Sequence, residues 1–100
     1  MKEDLDFWKL YGWIKRGRQR AKVLTALSEK PVIPEQFRKE LNSKLPTKEQ
    51  LSLREISRHF TTFTEKGLMT SLTPNEPYGK LYVLTKKGLQ IKNKSKETAH

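Results

Sequence analysis

Apolar residues recur at helical spacing at Leu53, Ile56, Phe60 and Phe63, which leaves Arg54, Arg58, Thr61 and Thr62 on the other side of the same predicted helix. Ser52-Leu-Arg-Glu55 matches a capping box, in which the serine oxygen and the glutamate carboxylate each satisfy a free backbone amide, so the helix is expected to start at Leu53. Gly67 is expected to end it, because glycine enters the left-handed conformation without a steric penalty. Residues 68–72 and 80–84 then read as two strands. Between them, Thr73-Pro-Asn-Glu-Pro-Tyr-Gly79 has the prolines, asparagine and glycine of a loop. Residues 85–91 read as a last short helical turn.

Upstream, Leu10, Trp13, Ile14, Ala21, Leu24 and Leu27 give residues 4–29 a helical period. Gly12 and Gly17 each weaken a helix interior by about 1 kcal/mol relative to alanine, so the segment is either two helices or one helix with a loose joint near Gly17. Lys30-Pro-Val-Ile-Pro34 breaks it. Pro34 suits the first turn of a second helix reaching about Leu41, with Glu35 near the positive end of the dipole and Phe37 and Leu41 inward. Residues 42–50 form a polar connection broken by Pro46, where Thr47 is placed to cap an extra turn. Near the N-terminus, Phe7, Trp8, Leu10, Tyr11, Trp13 and Ile14 carry more apolar surface than one helix face buries. Either these side chains complete the monomer core, or Phe7, Trp8, Tyr11 and Trp13 form a dimer interface.

One hundred residues suffice for a single compact domain, and 34% hydrophobic residues suggest a small helical core closed by a short sheet, without a deep substrate cavity. The expected division is an aromatic helical segment over 1–16, a domain over 17–91 and a basic disordered tail over 92–100. A formal charge of +10 changes the picture more than length does, since it implies an acidic partner, either nucleic acid or an anionic membrane face. The excess is clustered at Lys15, Arg16, Arg18, Arg20 and Lys22, and again at Lys86, Lys87, Lys92, Lys94 and Lys96.

With no cysteine, disulfides and thiolate metal sites are excluded. No apolar run approaches the roughly 20 residues of a membrane helix, and the acidic start does not resemble a signal peptide, so a soluble cytoplasmic protein without membrane association is expected. Two distant histidines, His59 and His100, do not supply a metal site, and no carboxylate pair, phosphate-binding glycine loop or convergent reactive group is visible. The expectation is therefore no catalytic residue, cofactor, metal or small-molecule effector, and no enzymatic activity.

The order of three helices and a hairpin, with these residues in these places, resembles the winged helix-turn-helix transcriptional regulators, particularly the compact archaeal and bacterial members related to the ArsR and MarR families. The resemblance covers residues 17–91. Arg20-Ala-Lys-Val-Leu-Thr-Ala-Leu27 looks like the first core helix of that family, Pro34-Glu-Gln-Phe-Arg-Lys-Glu-Leu41 like its second, and residues 51–68 like its recognition helix. Its most specific part pairs Glu65-Lys-Gly-Leu68 with Gly79-Lys-Leu-Tyr-Val-Leu-Thr-Lys-Lys-Gly88. The resemblance implies an α+β winged helix-turn-helix fold: a three-helix core, a C-terminal two-stranded β-hairpin wing and, here, an extra N-terminal helical segment. It also implies a sequence-specific regulator of transcription that binds double-stranded DNA as a homodimer, with residues 53–66 in the major groove. Two features depart from the family pattern: Arg38 stands where a small residue is usual, and the connection 42–50 is longer than a turn of about three or four residues. A longer turn would spread the helices and make room for Arg38.

Arg58 lies almost opposite the apolar stripe and Arg54 one turn before it, so these two are the expected base contacts, arginine being able to donate two parallel hydrogen bonds to guanine. Thr61 and Thr62 suit a thymine methyl or a phosphate, Ser57 the DNA backbone, Lys80 a contact from the wing, and Lys15, Arg16 and Arg18 the flanking phosphates. Lys92, Lys94 and Lys96 would add salt-sensitive affinity as a flexible arm. The alternative for each of these is an ordinary solvated surface. Two other functions fit the same residues: a winged-helix protein–protein interaction module of a transcription or replication assembly, and a non-specific nucleic-acid binder.

Overall fold

A computed structural model describes residues 2–76 and 80–97, with side chains from residue 5 onward. Its elements are α1 (Lys2–Arg16), α2 (Arg18–Ala26), α3 (Pro34–Asn42), a short 3-10 turn η1 (Thr47–Glu49), α4 (Leu53–Glu65), β1 (Met69–Ser71), β2 (Tyr82–Leu84) and α5 (Lys86–Glu97). The described chain is thus α+β, with five α-helices and a two-stranded antiparallel sheet. None of its helices is long and apolar enough to cross a membrane.

Of the two arrangements open for residues 4–29, the chain takes two helices. Gly17 adopts an extended conformation at φ −113° and ψ 101°. Arg20 then reaches back, donating from Nε and Nη2 to the Trp13 carbonyl at 3.1 and 2.5 Å while its guanidinium lies 4.3 Å from the Trp13 ring centroid. A cation therefore satisfies a carbonyl that the end of α1 leaves without an intrahelical partner.

At α4 both ends are specified locally. The Glu55 amide donates to Ser52 Oγ (3.1 Å) and the Ser52 amide to Glu55 Oε1 (2.9 Å), completing the capping box. Gly67 has φ +78°, and the Leu68 amide donates to the Phe63 carbonyl (2.8 Å) while the Gly67 amide donates to that of Thr64 (3.1 Å). This is the Schellman arrangement. Ile56, Phe60 and Phe63 are fully buried and pack with Ile14, Val23 and Leu24 from the first two helices, Phe37 and Leu41 from α3, and Ile91 from α5. Leu53, expected inside, is instead 43% exposed. Leu51 takes the core position beneath the first turn because Asn42 pins its backbone: the Asn42 Nδ2 donates to the Leu51 carbonyl (2.8 Å) and the Leu51 amide to Asn42 Oδ1 (2.9 Å).

The strands pair Met69 with Leu84, Thr70 with Val83 and Ser71 with Tyr82. They are shorter than the spans 68–72 and 80–84, since Leu68 closes the end of α4 and accepts from the Thr85 amide (3.0 Å). Residues 77–79 of the loop, including Tyr78 and Gly79, lie outside the described residues. On its other side β2 meets Val32, whose amide and carbonyl exchange hydrogen bonds with Tyr82 at 2.8 and 2.9 Å.

One expectation for the ends of the chain is corrected. Residues 92–97 are not a disordered tail but continue α5, because Ile91 is buried in the core, the Lys92 ammonium donates to the Leu27 carbonyl at the end of α2, and Lys94 lies over the Trp8 ring. Residues 98–100 lie outside the described residues. Of the two readings open for the N-terminal aromatics, packing on the core of the same chain is what α1 shows: Ile14 is wholly buried, and Trp13 packs edge-on against Phe63 with ring centroids 6.2 Å apart.

Candidate nucleic-acid interface

Burial of Ile56, Phe60 and Phe63 fixes which way the rest of α4 points. Arg54, Arg58 and Thr61 are exposed and fall on the opposite face, joined near the C-terminal end by the exposed Glu65. Ser57 and Thr62 are half-buried on the two flanks. The five predicted contact residues of α4 are thus brought to its outer side, with the two arginines and Thr61 central. Glu55, on the flank of this face, stays an ionised carboxylate whose oxygens are occupied by neutral donors. Its carboxylate accepts from the Ser52 amide and from Gln19 Nε2, and the hydrogen bond from the Ser52 backbone, followed by its side chain and that of Gln19, holds its pKa below the ordinary value.

Gln19 joins α2 to this helix. A carboxylate only accepts, so the Gln19 amide nitrogen faces Glu55 Oε2 (3.3 Å) and its oxygen faces His59, whose Nε2 therefore carries the hydrogen and donates across 2.6 Å. The His59 ring stacks on Phe63 at 6.0 Å. Burial, reinforced by Arg20 and Arg58 and opposed by Glu55, depresses the His59 pKa below 6.5. The unfolded chain then binds more protons than the native one between the folded pKa and about 6.5, so stability rises with pH across that window. Urea midpoints are expected to be higher at about pH 7.5 than at about pH 5.5, with the difference reduced in His59→Gln. An unchanged difference would remove His59 as its source.

The basic block at 15–22 does not act as one surface. Arg20 is used on Trp13, and Lys22 pairs with Glu49 at 2.8 Å, a contact that lowers the Glu49 pKa, first through the hydrogen bond and then through charge. With Lys22 and Glu49 side chains 30% and 49% exposed, this pair adds little stability. Lys15, Arg16 and Arg18 are exposed. Arg18 lies beside the start of α4, lining a polar surface cleft with Gln19, Lys48 and Glu55. Lys15 and Arg16 stand at the end of α1, away from that cleft. Lys80 sits half-buried just before β2, and no hydrogen bond or ion pair links it to α4 among the described residues.

Arg38 does not wedge the helices apart. Its guanidinium turns along its own helix and holds both oxygens of Glu35 (Nε to Oε2 3.2 Å, Nη2 to Oε1 2.5 Å), which lowers the Glu35 pKa. The long connection is taken up by η1 and by the Asn42 clamp, with Gln50 Nε2 donating to the Asn42 and Leu45 carbonyls (3.1 and 3.2 Å).

Among the N-terminal aromatics, Phe7, Tyr11 and Trp13 pack partly buried against the core of the same chain, while Trp8 remains 51% exposed. Gln19, Asn42 and Val32, which set the pose of α4 and the sheet, went unpredicted; their partners are 36 and 40, 9, and 50 positions away, and no local pattern marks them. No family model, curated protein or solved structure matches the chain, and what this face can bind follows from its own chemistry.

Proposed function

We propose that the chain is a winged helix-turn-helix protein that binds double-stranded DNA through the outer face of α4 and regulates transcription. The observation that carries this reading is the pairing of Arg54 and Arg58 with Thr61 on the exposed side of a helix whose other side is buried and whose two ends are fixed by hydrogen bonds. An α-helix fits the major groove, and arginines separated by one turn reach neighbouring base edges. The antiparallel hairpin directly after α4, the exposed Arg18 beside its start and the charge of +10 support the same reading, since phosphate contacts supply most of the affinity.

Selection from a randomised duplex library at near-physiological salt tests it. A recovered motif is expected, an inverted repeat meaning two copies per site and a single half-site meaning one. Arg58→Ala is expected to weaken the selected site by about 1–3 kcal/mol and to relax preference at one base pair, whereas Arg18→Ala weakens all sequences alike. Retention of full preference in Arg58→Ala would sink the assignment of α4, and binding without any motif would make the protein a charge-driven binder.

A further inference from the structure

Trp8, Gly12 and Arg16 stand four residues apart along α1 and so share one side of it. Between this side and the end of α4 lies a recess of about 370 Å³ whose lining includes Trp8, Lys9, Gly12, Trp13, Arg16 and Lys66, with Leu10 beside them. Gly12 opens it. A glycine inside a helix weakens it relative to alanine, and here neither backbone nor packing requires one: φ is not positive, and a Cβ would meet only the mobile tip of Arg16 at 3.3 Å. Lys9, Arg16 and Lys66 are exposed around the rim, and no carboxylate is among the described lining residues. The Lys66 ammonium rests 5.2 Å from the Trp13 ring centroid, and Trp8 is half-exposed.

An indole-walled slot ringed by three cations is complementary to both parts of a nucleotide, the planar base and the phosphate. A duplex keeps its bases stacked on one another, so such a base must come from an unpaired strand. We propose that this recess binds one nucleotide of single-stranded nucleic acid, with the base against the tryptophans and the adjoining phosphates on Lys9, Arg16 and Lys66. Lys66 leaves the Trp13 ring for a phosphate as the base enters. None of Arg54, Arg58 and Thr61 lines the recess, so the site is independent of the duplex-binding face.

Both tryptophans of the chain line the recess, which makes intrinsic fluorescence a direct probe. Titration of the full chain with an oligothymidylate of about twelve nucleotides is expected to quench it saturably, with a slope of about −2 in log affinity against log salt for three phosphate contacts. Gly12→Leu fills the recess and is expected to weaken the oligonucleotide at least about tenfold without lowering the thermal midpoint, and to leave binding of the selected duplex unchanged. Should that variant fold poorly, Lys9→Gln, an exposed change, is expected to lower both the affinity and the salt slope. Absence of quenching, or quenching indifferent to both substitutions, overturns the proposal. So does equal affinity for thymidine monophosphate, which would assign the recess to free nucleotide, and so does a dimer in sedimentation that Trp8→Ala converts to monomer, which would make Trp8 an interface residue.

Discussion

Gly88→Ala is expected to cost about 3 kcal/mol of folding stability or more, at the upper end for a single added methyl. A Cβ at this position overlaps the Leu68 carbonyl oxygen, with the Leu68 carbonyl carbon at 2.9 Å and Leu84 Cδ2 at 3.1 Å. Neither backbone can yield cheaply. The Leu68 amide is bonded to Phe63, its carbonyl accepts from the Thr85 amide, and Thr85 Oγ1 donates to the Gly67 carbonyl (2.6 Å) while accepting from the Gly88 amide (3.0 Å). One threonine thus ties the end of α4 to the start of α5, and glycine permits the contact distance. Gly12→Ala is the matching control, expected to raise stability by about 0.5–1 kcal/mol because its new methyl meets only a flexible side chain. Urea denaturation of the two variants checks both, and equal midpoints would mean that α5 does not pack on Leu68.

Asn42→Ala is expected to destabilise the fold by about 2–4 kcal/mol, since it leaves two buried backbone groups of Leu51 without partners at about 1–3 kcal/mol each. The side chain mimics a strand neighbour, donating to the Leu51 carbonyl and accepting from its amide. Water cannot substitute easily there, because Asn42 is 9% and Leu51 5% exposed. Hydrogen exchange separates this from general weakening. The Leu51 amide is expected to lose protection more than those in the middle of α2, because the clamp holds the connection rather than the core. Uniform loss across the chain would place the role of Asn42 elsewhere.

The ends of α4 were legible because their signals are local: a serine and a glutamate three residues apart, and a glycine after the last apolar position. Its outward arginines followed from the same stripe. The break at Gly17 was visible as a weakness, but its resolution into two helices depends on Arg20 reaching Trp13. Leu53 was misplaced because a helical stripe does not reveal that Leu51, before the helix, is held in the core by Asn42. The last helix was read too short for a similar reason. Residues 92–97 are polar in isolation, and what orders them is the packing of α5 on α1 and α2, with Lys92 reaching Leu27 across 65 positions. Likewise, Lys22 is accounted for by Glu49, 27 positions away, and nothing in the run of basic residues marks it as different from Arg18.

The single bridge at Val32 also governs how the molecule behaves in company. Tyr82 turns its amide and carbonyl outward from the sheet, and an uncovered row of such groups invites pairing with a strand of another molecule. Val32 occupies that edge, and the opposite one, β1, is only three residues long, too short to template a lasting ladder. The two edges are thus blunted against pairing with a second copy, which matters for a chain whose charge of +10 would crowd it on a polyanion.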